Sequence, residues 1–493
     1  MSATPPTPRR LPTHGGRAPR VAMLVYNDAH NDARVLKEAA ALRQAGATVR
    51  VFAVARAASG YPEGEATAGD GVDVLRSREF SLAQVAPALA GLRDRLTGGD
   101  RAAAVAGGAA EEGSTATTGL AEMADRRDGA DGAGTGGADG AGPAPAAAPR
   151  GSAGLSALTQ RTHALGADAA MRAYKTVALT TYWLRAARAA LAWHPDVVHA
   201  NDGNTLAPAL WIVDRCDARL VYDSHELWLH RNVRGDRPLA PHVEAAIEAR
   251  GIARADAVIT VSPSIVDWLT DHYHLDTPPT LVRNVPAAGP APDRSRGRLR
   301  ELAGLGPGTR VIAYGGRITT SRGIEETIAA LPHLAEDVHL VMLGYGEPDY
   351  LATVWACAAE HGVTHRVHQV GPVAPHEVAD ALSDADVSVV HVRPTCLSYR
   401  FALPNKLFES IRGGLPVAAA DLPDIRAVVE QLGVGEAFTG EDPTSLAATI
   451  EHVLADSERY RAAALAACPG LTWENEAGRL VDAYRLALMG ERA

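Results

Sequence analysis

Apolar residues in this chain fall into short runs that alternate with longer stretches of helical spacing. Val21–Tyr26 is a short apolar run. Asp32–Gln44 then places Val35, Leu36, Ala39 and Leu42 at helical intervals, Gly46 ends that pattern, and Val49–Val54 is the next apolar run. The same reading predicts strands at Val72–Leu75, Val197–His199, Arg219–Tyr222 and Val258–Val261, and helices over about Leu155–Trp193 and His242–Ala253. A Pro/Ala-rich hinge, Asn284–Pro292, separates this series from a second one. There, strands are predicted at Val311–Tyr314, His339–Leu343, Val387–His391 and Val417–Ala419, with helices between them. Apolar runs alternating with helices indicate parallel sheets covered on both faces. The expected fold class is α/β, with two doubly wound Rossmann-like domains facing across a cleft. In such folds ligands bind beyond the C-terminal ends of the strands.

Composition changes this picture at two places. From Arg101 to Arg150 about 28 of 50 residues are Gly or Ala, and Val105, Leu120 and Met123 are the only large apolar side chains. Such a segment cannot bury enough surface to offset its ordering entropy. Residues 98–154 are therefore expected to be a disordered insertion, and the Pro- and Arg-rich residues 1–19 a loose tail. The other expected boundaries are 20–285 for the first domain and 286 onward for the second.

The 493 residues carry a net charge of −10, which argues against a nucleic-acid partner. Four cysteines (Cys216, Cys357, Cys396, Cys468) lie far apart with no C-x-x-C pair, a pattern expected of a cytoplasmic protein rather than a disulfide scaffold. No apolar run reaches 18 residues, so no membrane-spanning helix is expected. The 155–193 stretch mixes Arg161, Arg172, Lys175, Arg185 and Arg188 with apolar residues, which leaves peripheral contact with a membrane open beside packing on the domain core.

Two constellations carry candidate chemistry. In the first, a strand ends in Gly315-Gly316, Arg317 and Arg322 flank a Thr/Thr/Ser loop, and Gly323 opens a helix. Glycines allow close backbone approach, a helix N-terminus offers free N–H groups, and guanidinium groups match phosphate oxygens, so the stretch reads as an anion site suited to a diphosphate. In the second, Pro404 starts a helix on which Asn405 and Glu409 share a face, with Lys406 between them. A carboxylate so placed can accept hydrogen bonds from a vicinal diol such as a ribose. Asp384-Ala-Asp386 spells a D-x-D, but its helix-to-strand position matches that of Asp256 in the first domain and reads as structural; no metal site is expected.

Taken in order, several segments resemble the GT-B glycosyltransferases, most closely the retaining family 4. They are Asp32-Ala-Arg34-Val35, Asp196-Val-Val-His199-Ala-Asn-Asp202, Tyr222-Asp223-Ser-His225-Glu226, Ala257-Val-Ile-Thr260-Val-Ser262, Gly316-Arg317…Arg322-Gly323 and Pro404-Asn405-Lys406…Glu409. The resemblance implies transfer of a sugar from a nucleoside diphosphate sugar (UDP or GDP type) to a hydroxyl of a glycan, lipid-linked or small-molecule acceptor. It implies retention at the anomeric carbon, neither cofactor nor metal, and a C-terminal helix, 473–493, that returns to complete the first domain and leaves 286–472 as the second. Arg317 and Arg322 are implied at the donor diphosphate, with Gly315, Gly316, Asn405 and Lys406 around it. Glu409 is implied at the nucleotide ribose, as the second glutamate of an E-x7-E pattern whose first position is Phe401 here. His199 and Asp202 are implied near the transferred sugar, and Arg317, Arg322, His199 and Asp202 form the expected catalytic set. Asn27, Asp28, Asn31, Arg34, Asp223, His225 and Glu226 are implied on the acceptor side. Two other activities share the architecture and stay open at this point: a nucleotide-sugar 2-epimerase, and a protein that binds without turnover.

Overall fold

The structure is a computed structural model that describes residues 10–30, 32–80, 152–233, 239–290 and 293–490. The expected insertion lies outside the described residues up to residue 151. A helix, Ser152–Ala192, is already under way at its expected end. Residues 10–19 of the expected tail are mostly exposed but anchored at two points: Leu11 is buried in the first domain's core and its N–H bonds to the Ala45 carbonyl at 2.9 Å, while Arg17 pairs with Asp196 at 2.6 Å. One apolar residue and one cation suffice to anchor a segment whose composition alone reads as solvated.

The expected pair of doubly wound sheets is present. The first contains β1 (Arg20–Leu24), β2 (Thr48–Val54), β3 (Gly64–Ala68), β4 (Val72–Ser77), β5 (Val197–Asn201), β6 (Arg219–Ser224), β7 (Ala257–Thr260) and β8 (Thr280–Leu281). Their order is β3-β4-β2-β1-β5-β6-β7-β8, and only the β3–β4 pair is antiparallel. The second sheet contains β9 (Arg310–Gly315), β10 (Val338–Leu343), β11 (Val367–Val370), β12 (Val387–Val390), β13 (Val417–Ala420) and β14 (Gly435–Phe438), in the order β11-β10-β9-β12-β13-β14. Strand order reverses between β1 and β5 and again between β9 and β12, so each domain opens a crevice at the C-terminal ends of those strands.

An aspartate just before a strand pins its neighbour three times over. Asp196, Asp256 and Asp386 accept hydrogen bonds from the backbone N–H of Arg20, Leu220 and Val311 at 2.7, 2.8 and 2.8 Å. Each also pairs with an arginine: Arg17, Arg219 and Arg300 respectively. Asp384 receives the N–H groups of Leu299 and Arg300 at 3.2 and 3.1 Å. The carboxylates of the D-x-D are thus occupied in holding strand and helix ends.

The helix Trp473–Met489 returns to the first domain, where Trp473, Leu480, Val481, Ala483, Tyr484 and Ala487 are buried in the same apolar cluster as Val21, Val35 and Val197. Glu476, fully buried on that helix, accepts from the Arg283 backbone N–H at 3.0 Å and pairs with its guanidinium at 2.5 Å, clamping the helix to the hinge. On the helix Ser152–Ala192, Tyr182, Ala186 and Ala190 pack into the cluster on the other face of the first sheet.

The second domain also touches the first across the cleft. The Ser262 hydroxyl donates to the Phe401 carbonyl at 2.8 Å, and Asp424 accepts from the Ser264 N–H and hydroxyl at 3.2 and 3.0 Å, capping the Pro263–Tyr273 helix from across the cleft. Leu397 and Phe401 pack against the first domain's apolar cluster.

Candidate functional site

At the end of β9, Gly316 takes φ +115°, and the Tyr314 hydroxyl donates to the Arg317 carbonyl at 2.6 Å, folding the chain sharply away from the strand. Gly323, at φ +69°, begins the Ile324–Ala330 helix. A Cβ there would lie 2.0 Å from the His391 ring, so only glycine lets this turn approach the end of β12. Gly315 closes β9 in the buried floor. The two arginines of this loop have different surroundings. Arg317 lies 3.5 Å from Glu347, whereas the Arg322 guanidinium sits 5.2 Å over the Tyr399 ring.

Pro404 is the N-cap of the Asn405–Arg412 helix, with Asn405 exposed and Lys406 turned over the Tyr314 ring at 4.3 Å. Lys406 Nζ is buried and has no hydrogen-bond acceptor among the described residues. Burial first, and the charge of Arg322 second, push its pKa well below the usual lysine value, while Glu409 pulls it back. Burial raises the Glu409 carboxyl, against Lys37 of the first domain and Lys406. Arg322, Lys406 and Glu409 thus share one electrostatic neighbourhood, and Arg317 pairs with Glu347.

Opposite them, the loop after β1 is held by its own side chains. Asn27 donates to Asp32 at 2.7 Å and accepts from the Ala29 N–H at 2.8 Å; Asp28 accepts from the His30 N–H at 3.0 Å. Asn31 lies outside the described residues. Beneath this loop is a charged network. Arg34, 5% exposed, gives Asp223 hydrogen bonds at 3.0 and 2.9 Å and a third bond to the Val282 carbonyl at 2.7 Å. Glu38, one turn along, contacts Arg34 Nε at 3.1 Å, yet neither of its oxygens has a hydrogen-bond partner among the described residues. His199 Nδ1 meets the Tyr484 hydroxyl at 2.6 Å, and its Nε2 faces Glu38 at 3.6 Å and Asp223 at 3.8 Å. His225 bridges upward, from Asp223 at 3.0 Å to Asp202 at 3.4 Å.

Charge is distributed accordingly. Burial acts to raise the Asp223 carboxyl, but Arg34 and His225 hold it well below its ordinary value. Burial and Asp223 push Glu38 well above. His225 is driven well above the ordinary histidine value by Asp202 and Asp223 despite burial, and burial drives His199 down. Burial, with Asp202 next, raises Glu226 to about 7.

Three of the expected site residues, His199, Asp223 and Arg34, are buried, and they pair with one another or with Glu38 and Tyr484, because buried charges require partners. Asp202, His225 and Glu226 are the partly exposed members of the group. Asp202 takes φ +61° and ψ 165°, a region costly for any side chain, at the start of the Gly203–Val213 helix. Glu38, Lys37, Tyr399 and Tyr484 were missed in the sequence. The Arg34–Glu38 spacing of four is a readable helix pair; Tyr484 carries no local signal.

Among the described residues Glu38, Asp223 and His225 form one group with ligand atoms all within 4.8 Å of one another. The Arg34 guanidinium already supplies the positive charge at Asp223. No helix of the described residues is long and apolar enough to cross a membrane.

Two Rossmann-like domains with an anion-suited glycine turn on one side and a charged network on the other make a GT-B architecture, and comparison with known proteins gives the family. Residues 147–285 match the model described as Glycosyltransferase Family 4, and residues 309–456 match that described as Glycosyl transferases group 1. A D-inositol 3-phosphate glycosyltransferase of Xylanimonas cellulosilytica is 29% identical over 60% of this chain and 72% of its own. A glycogen synthase of Mycobacterium tuberculosis is 28% identical over 61% and 71%. The sucrose-phosphate synthase of Thermosynechococcus elongatus shares the fold with a TM-score of 0.59 at 15% identity, covering 95% of this chain and 98% of that one. Anabaena HepE in complex with UDP-glucose does so with a TM-score of 0.58 at 14% identity, over 94% and 98%. The chain is a GT-B glycosyltransferase of the family 4 type.

Proposed function

We propose that the protein transfers a sugar from a nucleoside diphosphate sugar to an acceptor hydroxyl, with retention at the anomeric carbon and without a metal ion. The observation that carries this reading is the buried Lys406 ammonium, which has no acceptor among the described residues and shares its surroundings with Arg322 and Glu409. A diphosphate supplies the anion that these two cations lack, and Glu409, one helical turn from Asn405, is the carboxylate beside them that can accept from a ribose diol. The UDP-glucose in the HepE structure supports a UDP-type donor.

As the sugar–phosphate bond breaks, charge grows on the leaving diphosphate. Arg322 and Lys406 stabilise that charge more than the ground state, which lowers the barrier. A diphosphate oxygen on the same face can take the acceptor proton, so no protein base is needed there. With Asp223 held by Arg34 and the D-x-D occupied in strand ends, two cationic side chains serve where a metal would otherwise neutralise the phosphates. Asp202 and His225 line the opposite wall, where the acceptor enters.

Calorimetry with UDP, GDP and their glucose and mannose conjugates tests the donor reading. Lys406→Met is expected to weaken the preferred nucleoside diphosphate about ten- to a hundredfold, since it removes a hydrogen bond to a charged group, and to leave the free nucleoside nearly unchanged. Turnover is expected to survive EDTA and to give a product of unchanged anomeric configuration. A protein that binds none of these nucleotides, or that EDTA silences and manganese or magnesium restores, would overturn the proposal.

A further inference from the structure

Three segments at the C-terminal strand ends of the first domain meet at Arg76, close to the end of β4. Arg76 is only 6% exposed and shares a strand face with the buried Val72 and Val74. Its Nε donates to the Asp28 carbonyl at 2.8 Å, in the loop after β1. That loop is tied to the end of β2, where the Val54 N–H bonds to the Asn27 carbonyl at 2.8 Å. The guanidinium lies 5.2 Å from the Tyr61 ring, which also stacks on His30 at 4.5 Å. Tyr61 is fixed in turn by backbone bonds to and from Arg56 at 3.0 and 2.7 Å. Apart from the Asp28 carbonyl, the Arg76 guanidinium has neither a hydrogen-bond acceptor nor an ion-pair partner among the described residues. The neighbouring cations are engaged, Arg56 by Glu79 and Arg78 by Glu63. The Asp28 carboxylate is the nearby opposite charge, but it accepts from the His30 N–H at 3.0 Å and makes no ion pair with Arg76.

We infer that Arg76 holds an anionic group of the acceptor, a phosphate or a carboxylate, away from the hydroxyl that receives the sugar. The inference rests on the donor reading above, which gives the diphosphate to cations of the second domain and leaves the first domain's strand ends to the acceptor. A guanidinium taken out of water without a counter-charge is costly, and its planar fork matches two oxygens of a phosphate or carboxylate. The Asp28 carbonyl on one edge and the Tyr61 ring orient that fork before any ligand arrives, so little ordering is left to do on binding. In the sheet β4 stands two strands from β1, about 10 Å at ordinary strand spacing. An anion on Arg76 therefore lies within the reach of a small acceptor whose hydroxyl sits in the crevice between β1 and β5. A neutral acceptor of the same shape leaves the guanidinium unsatisfied and is discriminated against.

The test titrates inorganic phosphate, glucose 6-phosphate, glucuronate and glucose into protein saturated with whichever of UDP and GDP binds, so that the donor cations are already occupied. Calorimetry on wild type is expected to show glucose 6-phosphate or glucuronate bound more tightly than glucose, and the tighter of the two names the anion. Arg76→Met is expected to weaken that anion about ten- to a hundredfold, with affinity for the nucleoside diphosphate within about twofold of wild type. Arg76→Lys keeps a positive charge and a donor for the Asp28 carbonyl but loses the fork, so it is expected to fold as wild type does and to bind with intermediate affinity. It carries the test if Arg76→Met does not fold. A merely structural role predicts instead a lower melting temperature and no difference between anionic and neutral probes. Wild type that binds none of the anions, or binds them no better than glucose, overturns the inference and leaves the donor site standing. So does anion affinity unchanged in the folded variants. A wild type that binds neither nucleoside diphosphate overturns the donor reading, and with it the assignment of the anion to an acceptor.

Discussion

Breaking the Arg34–Asp223 pair is expected to be among the most damaging single changes in the first domain. Asp223 is fully buried and Arg34 only 5% exposed, and the two meet through short hydrogen bonds at 2.9 and 3.0 Å. Asp223→Asn removes the negative charge and leaves the guanidinium in the core, with Glu38 at 3.1 Å, a carboxyl whose ionisation burial opposes. Removing one partner of such a pair costs about 3–5 kcal/mol, far more than the pair itself contributes relative to an apolar replacement. For a domain of this size each kcal/mol moves the midpoint by about 2–4 °C, so the expected drop is roughly 6–20 °C. Arg34→Met should cost a similar amount by stranding Asp223. The double variant, Arg34→Met with Asp223→Asn, should cost clearly less than the sum, because the second change removes the charge orphaned by the first. The assay is urea denaturation of all four proteins, followed by a signal of the first domain. Single variants within about 1 kcal/mol of wild type, or strictly additive losses, would refute the reasoning.

Glu38 should behave in the opposite sense. Its folded pKa is raised, so ionising it opposes folding, and stability is lost as pH rises from the ordinary glutamate range through the folded value. Glu38→Gln is therefore expected to melt above wild type at pH 8, with the difference closing toward pH 5; scanning calorimetry at both pH values checks this. Glu476→Gln weakens the clamp between the returning helix and the hinge, with an expected loss of about 1–3 kcal/mol and faster amide exchange along the 473–489 helix. Gly323→Ala forces a side chain into φ +69° and against the His391 ring, costing about 1–3 kcal/mol from the backbone alone, and is expected to abolish nucleoside diphosphate binding in calorimetry.

Local pattern was enough for much of this molecule. The central strands are apolar runs because a strand buried on both faces has no polar side to show, so β1, β2, β5, β6, β9, β10, β12 and β13 are legible from composition over a few residues. The alternation with helices carried the two-domain fold. The glycine turn and the Pro404-started helix announced where cations and a carboxylate would stand, since both depend on backbone geometry written into neighbouring residues. The edge strands β3, β8, β11 and β14 were not legible. They are short or polar and exist because a neighbour offers a ladder, not because their own residues demand one. The depth of a side chain was equally hidden. His199, Arg34 and Asp223 read as cleft residues because strand ends and first helical turns usually line clefts. Only the fold brings Tyr484 back across 285 residues to His199, and sets Glu38 beneath Asp223, leaving those positions buried. Likewise nothing local tells Phe401 to pack against the first domain's apolar cluster, or Lys406 to bury an ammonium that finds no acceptor among the described residues. Burial and charge pairing are properties of what surrounds a residue in space, and sequence periodicity reports only what surrounds it along the chain.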